Sequence, residues 1–174
     1  MKTTQKIVIS SMFAALVCVA TMLIKIPSPL KGYLNLGDCV VLVAAWMLPI
    51  GYNFLAAGIG SALADIFLGY IVYAPATFFI KGAMAVIAYG SFLLLSKRSK
   101  ILLSRIVSGI LAEITMILGY FLFEGFLYGF SPSLVNIPAN GVQGIAGLII
   151  GTILITVFEK QNLTKIFKLQ GEQK

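Results

Sequence analysis

Apolar residues fill this chain in long blocks, separated by short stretches that carry proline, glycine and most of the charges. The blocks have the length of membrane crossings, since a bilayer core about 30 Å thick takes roughly 20 helical residues. Six of them predict helices over residues 7–24, 37–48, 52–68, 76–96, 101–128 and 137–158. Between the first two, Pro27, Pro29 and Gly32 break a segment too polar to cross, residues 25–36, here called loop 1. Pro49, Ile50 and Gly51 predict a tight turn after the second block, which is short and begins against loop 1. The aromatic segment 69–75 joins the third helix to the fourth, and Gly129-Phe-Ser-Pro-Ser stops the fifth.

Composition agrees with a single six-helix membrane domain over residues 1–174. The chain is 59% hydrophobic and 11% charged, with a mean hydropathy of +0.99. After six crossings no length remains for a soluble ATPase or a large globular domain. Lys2 and Lys6 before the first block, with Cys18-Val19-Ala20 inside it, loosely imitate a signal peptide, but the block is long enough to stay as helix 1. No histidine is present, which removes imidazole metal sites and Ser-His or Cys-His nucleophile pairs. Cys18 and Cys39 have no metal or redox spacing and read as small packing residues, and no cofactor is expected.

The net charge of +7 reads as topology rather than as a nucleic-acid surface. Ten of the thirteen basic residues form three clusters: Lys2 and Lys6; Lys97, Arg98, Lys100 and Arg105; Lys160, Lys165, Lys168 and Lys174. With six crossings all three fall on one side, which the positive-inside rule makes cytoplasmic, so both termini are expected inside.

Five charged residues lie within or at the ends of the apolar blocks, where each costs at least about 2.5 to 3.5 kcal/mol unless paired or hydrated. Asp38, Asp65, Lys81 and Glu124 map to the outer half; Glu113 lies deeper and toward the cytoplasm, where an inter-helix hydrogen bond or an inner-vestibule role is expected. Lys81 is expected to neutralise Asp65 or Asp38. Asn35, Tyr70, Tyr73, Thr77, Tyr128, Asn136, Asn140 and Gln143 share the outer half, a set of rings and hydrogen-bonding groups suited to a small polar ring compound. Belt residues at the membrane interface are the alternative for Tyr70, Tyr73 and Tyr128. Small residues recur every four positions at Ser10, Ala14 and Cys18, at Ala57 and Ser61, at Gly60 and Ala64, and at Gly147 and Gly151, spacing that lets helices approach closely. Most read as internal packing, and the helix 1 set is the candidate for a partner-docking face. The chain lacks a nucleotide-binding loop and the broken mid-membrane helix pair of secondary transporters, so it reads as a binding protein powered from elsewhere.

Four stretches carry a family resemblance: Tyr33-Leu-Asn-Leu-Gly-Asp38, Gly58-Ile-Gly-Ser-Ala-Leu-Ala-Asp-Ile-Phe-Leu-Gly-Tyr70, Tyr73-Ala-Pro-Ala-Thr-Phe-Phe-Ile-Lys-Gly82 and Pro138-Ala-Asn-Gly-Val-Gln143. They resemble the substrate-binding S components of energy-coupling factor (ECF) vitamin transporters, most of all the riboflavin-type branch. The resemblance implies a six-helix protein of a prokaryotic plasma membrane that binds a vitamin or precursor in an outward pocket capped by loop 1. It also implies partners, a transmembrane T component and two ABC-type ATPases that supply the energy. By position it implies substrate binding at Asn140, Gln143, Tyr70 and Tyr73 and matches the charged positions Asp38, Asp65 and Lys81; Asn35, Thr77 and Glu124 join the expected binding set from the outer-half polar residues, and the docking stripe Ser10, Ala14 and Cys18 departs from the family's Ala-x-x-x-Ala pattern. Pyridoxine-type compounds or hydroxymethylpyrimidine are the favoured ligands, with riboflavin next. The rival readings are a self-sufficient channel or exchanger and an intramembrane enzyme using Asp65, Lys81 or Glu124 as acid or base.

Overall fold

The computed structural model describes residues 3–28 and 32–161. Its helices are α1 (Thr3–Leu23), α2 (Gly37–Met47), α3 (Ile50–Phe67), α4 (Ala74–Leu95), α5 (Ile101–Tyr128), a single turn α6 (Phe130–Ser133) and α7 (Ile137–Lys160). Among the described residues, α1, α3, α4, α5 and the segment Phe130–Lys160 are long and apolar enough to cross a membrane. Their outward faces carry Leu, Ile, Val and Phe, as at Leu16, Phe67, Phe79, Leu118 and Ile149, which is what lipid contact requires.

The sixth expected crossing differs. α2 has 11 residues and rises only about 16 Å, roughly half of the bilayer core. It is the centre of the bundle: Val41, Leu42, Ala44 and Ala45 are fully enclosed, and only Val40 among its residues is not buried. Its apolar residues point in every direction and are buried by the surrounding helices. Leu48 and Pro49 stop it, and α3 begins at once. Because α2 is short, the bundle has a space beyond its N-terminus, walled by the longer helices.

Loop 1 is also more ordered than a broken loop. Ile26–Pro27 (β1) and Tyr33–Leu34 (β2) pair as a short antiparallel ladder, and the Ser28 amide donates to the Gly32 carbonyl at 2.9 Å. In the α5–α7 connection, the Gly129 break with its left-handed φ of 93° is followed by α6 and a 3-10 turn, Leu134–Asn136, that leads into α7.

Close approach through glycine sets the helix spacing. A Cβ on Gly60 of α3 would stand 2.4 Å from the Ala14 carbonyl of α1. On α7, one on Gly147 would stand 2.8 Å from the Asp38 Cβ, and one on Gly151 would stand 3.1 Å from the Cys39 carbonyl. Ala57, Ser61, Gly60 and Ala64 are all buried, so these stripes pack the bundle internally. At the end remote from loop 1, Arg105 of α5 grips Glu159 of α7 with both guanidinium NH2 nitrogens. Lys6, Lys97, Arg98, Lys100 and Lys160 share that end through the alternating directions of the helices. Lys2, Lys165, Lys168 and Lys174 of the basic clusters, and Pro29 of loop 1, lie outside the described residues.

Gly60 and Gly90 give a matched test of this packing. A Cβ on Gly90 meets nothing within 4 Å, so Gly90→Ala should gain the helix propensity of alanine, about 1 kcal/mol or less. Gly60→Ala should instead lose about 1 to 3 kcal/mol by overpacking. Thermal unfolding of the two variants in detergent should move the melting temperature in opposite directions.

Candidate functional site

The space beyond the N-terminus of α2 is a pocket that every long helix helps to line. Its walls are Thr21 of α1, Ser28, Gly32, Tyr33 and Asn35 of loop 1, Ser61 and Asp65 of α3, and Thr77 and Lys81 of α4 with Tyr73 at that helix's start; Tyr120 and Glu124 come from α5, and Asn140 and Gln143 from α7. The space open to the centre of a water-sized sphere is about 30 Å³. At about 10 to 15 Å³ per water, that holds two or three molecules, so the walls stand close together.

The floor is built on the start of α2. Asp38 lies in its first turn, where the helix dipole favours a negative charge, and is completely buried. Lys81 of α4 forms an ion pair with its Oδ1. Gln143 Nε2 donates to Oδ2 at 2.7 Å, and the same amide's oxygen accepts from the Asn35 backbone N–H at 2.9 Å. Asn35 Oδ1 then accepts from the Gly37 N–H at 2.9 Å, satisfying the first amide of α2 from loop 1. Loop 1, α2, α4 and α7 are thereby tied at one point. Lys81 also sits 5.6 Å above the Tyr120 ring, a cation–π contact.

Two further carboxyls stand in the walls. Asp65 accepts the Tyr33 hydroxyl at 2.6 Å through one oxygen, while its other oxygen is buried without a partner among the described residues. Burial and the adjacent Asp65 push the Tyr33 hydroxyl well above its ordinary pKa, so it stays a donor. Glu124 accepts from Asn136 Nδ2 at 2.8 Å and from the Tyr73 hydroxyl at 3.3 Å, and it too keeps one buried oxygen that no described residue satisfies. The Thr77 and Tyr120 hydroxyls share a hydrogen bond of 3.1 Å. Asn140 has no hydrogen bond among the described residues and lines the pocket with a free amide.

Eight of the ten residues expected at the site line this pocket or close it: Asn35, Asp65, Tyr73, Thr77, Lys81, Glu124, Asn140 and Gln143. Asp38 forms its floor from behind Lys81 and Gln143. Tyr70 stands outside, its ring centre 4.7 Å from that of Tyr33 and with Lys25 Nζ 4.8 Å above it. The two expected alternatives for Lys81 resolve to Asp38, not Asp65. Glu113 is buried against α7, where Cβ atoms on Gly144 and Gly147 would stand 3.0 and 3.1 Å from its oxygens, and the expected inter-helix hydrogen bond is not made among the described residues: both oxygens lack a partner there. The expected docking stripe turns inward at Ser10 and Cys18, which are buried on the face of α1 that meets α3; Ala14 between them is half-buried. Thr21, Ser28, Tyr33, Ser61 and Tyr120 line the pocket beyond the expected set. Of these, Tyr120 had a readable signal, a phenol in the middle of an apolar helix, but its partner Thr77 is 43 positions away.

Lys81→Met should strand the Asp38 carboxylate and cost about 3 to 5 kcal/mol of stability, read as a fall in melting temperature. Combining it with Asp38→Asn should recover much of that loss, and combining it with Asp65→Asn should not. The reverse pattern would make Asp65 the partner.

Comparison with known proteins agrees with this architecture. The profile of the family described as ECF-type riboflavin transporter, S component, matches residues 1–160. A protein of Pyrococcus woesei, described only as an uncharacterized protein in a gap 3'region, is 36% identical over 146 residues, covering 83% of this chain and 95% of that one. A solved structure described as "Structure and mechanism of the S component of a bacterial ECF transporter" is similar with a TM-score of 0.66 at 22% identity, over 97% of this chain and all of that one, a likeness of fold. The chain belongs to the S components of the ECF-type riboflavin transporter family, and is therefore a substrate-binding subunit of a membrane transporter and not an enzyme.

Proposed function

We propose that the chain is the high-affinity binding subunit for a small water-soluble vitamin or vitamin precursor, taken up across a prokaryotic plasma membrane with both termini on the cytoplasmic side. The observation that carries the reading is the enclosed pocket where α2 stops short, with rings, hydroxyls, amides and carboxyls converging from α1, α3, α4, α5, α7 and loop 1. A single-ring ligand of the pyridoxine or hydroxymethylpyrimidine kind is the favoured occupant, with riboflavin, the ligand in the family's description, next.

The substrate-binding roles divide. Asn140, Tyr73, Thr77, Asp65, Lys81 and Glu124 present side chains to the ligand. Asn35, Asp38 and Gln143 chiefly hold the floor, since their polar groups are engaged with one another. Tyr70 supports Tyr33 from outside. The energy comes from a T component and two ABC-type ATPases, because the chain carries no nucleotide-binding loop of its own. Their approach is proposed along α1 at Ala14, the member of the Ser10, Ala14 and Cys18 stripe that is not fully enclosed.

Asn140→Leu should weaken ligand binding roughly 5- to 150-fold, the cost of about 1 to 3 kcal/mol for an unpaired ligand group, with little change in melting temperature. Gln143→Leu should lower both, since it also releases Asp38 and loop 1. Titration calorimetry with the co-purifying ligand reads the first effect and thermal unfolding the second. Uptake into vesicles should require the T component and ATPases together with ATP; uptake by this chain alone would mean a channel or exchanger instead.

A further inference from the structure

The chain is basic overall, yet four of its six acidic residues, Asp38, Asp65, Glu113 and Glu124, are buried in and around the pocket. Among the described residues only Lys81 stands with them as a base, and Asp38 takes it. Asp65 and Glu124 are left in the pocket wall at 3% and 2% exposure, each with one oxygen that no described residue satisfies. Buried carboxyl oxygens without a partner are costly for the empty protein, and a cost of that kind is offset when a ligand supplies the missing donor.

We infer that the pocket takes a cationic ligand, a small aromatic ring carrying a protonated amine, which the free oxygens of Asp65 and Glu124 receive. This deepens the binding reading above and rests on it. An ammonium supplies positive charge and up to three donors, and charge-assisted hydrogen bonds are the strongest that such oxygens make. The rings of Tyr33, Tyr73 and Tyr120 line the same space and suit both the aromatic body and the cation. A bare metal ion fits poorly, because no group of three or more metal-binding side chains occurs among the described residues. A neutral hydroxymethyl group in place of the aminomethyl group brings one donor and no charge, so it meets such an oxygen with a weaker hydrogen bond.

Matched pairs of probes test the charge directly. Calorimetry and thermal unfolding of the purified full chain are measured with pyridoxamine against pyridoxine, and with the aminomethyl against the hydroxymethyl form of an aminopyrimidine. The amine of at least one pair should bind roughly ten- to a hundredfold tighter than its alcohol. Asp65→Asn with Glu124→Gln should erase that preference while the ligand-free melting temperature rises or holds, since both variants keep the acceptor used by Tyr33, Tyr73 and Asn136. A lost preference in a variant that has also lost its fold does not count in favour; Asp65→Asn and Glu124→Gln singly then decide, and at least one must reduce the preference in a folded protein. Equal binding within both pairs, tighter binding of riboflavin than of either amine, or no response to either amine at millimolar concentration overturns the inference. Stabilisation by sodium or potassium chloride alone, to which the amines add nothing, assigns the site to an inorganic ion and overturns it as well. ATP-driven uptake of a neutral vitamin by the complete transporter, with the amines ignored, overturns the cation but leaves the binding-subunit reading standing. Tight amine binding with no uptake by the complete transporter does the opposite.

Discussion

The ion pair between Asp38 and Lys81, with Gln143 closing the second carboxylate oxygen, is the interaction on which the rest of the molecule depends. In a bundle surrounded by hydrocarbon, water does not rescue a polar group left over after packing, so the start of α2 must be satisfied by protein. Asn35 accepts from its first amide, Gln143 holds Asn35, and the same glutamine holds Asp38. A buried pair of charges is seldom a net source of stability against an apolar alternative, but losing one partner is severe. Its value here is positional: it joins loop 1 to α2, α4 and α7 where the chain must leave a space open.

That space follows from a mismatch of lengths. Among the described residues five segments are long and apolar enough to cross the bilayer and one central helix is not, so burying α2 leaves a gap at its N-terminal end that the outer helices wall. Closing the bundle around so short a core requires close helix contact. Glycines supply it at Gly60 between α1 and α3, and at Gly147 and Gly151 between α7 and α2. Van der Waals contact is the main force available for this in lipid, and the helices approach until a single methyl group at Gly60 would meet a backbone carbonyl rather than a yielding side chain.

The distribution of charge gives the transporter subunit its character. Bases gather at the end of the bundle where α1 starts and α7 ends, and acids gather inside the opposite half. The first arrangement is the signature of membrane orientation. The second leaves Asp65 and Glu124 with unmet oxygens in a dry place, and it is the arrangement from which we infer a cationic ligand.

By itself the sequence determined the class of protein, most of the helix segments and many of the polar residues that meet at the pocket, because hydropathy, charge bias and the cost of polar groups in lipid act locally along the chain. The boundaries of α5 coincide with the predicted 101–128, and eight of the ten expected site residues line one pocket. Partner choice was another matter. Lys81 had two aspartates at comparable positions, and only the packing of α2 against α4 put Asp38 rather than Asp65 within reach. Periodicity likewise marked Ser10, Ala14 and Cys18 as a close-packing stripe but not its direction, and the bundle turned it toward Gly60 of α3. The depth of α2, the ladder in loop 1 and the unpaired oxygens of Asp65, Glu113 and Glu124 depend on contacts between residues far apart in the chain, and those exist only once the helices have packed.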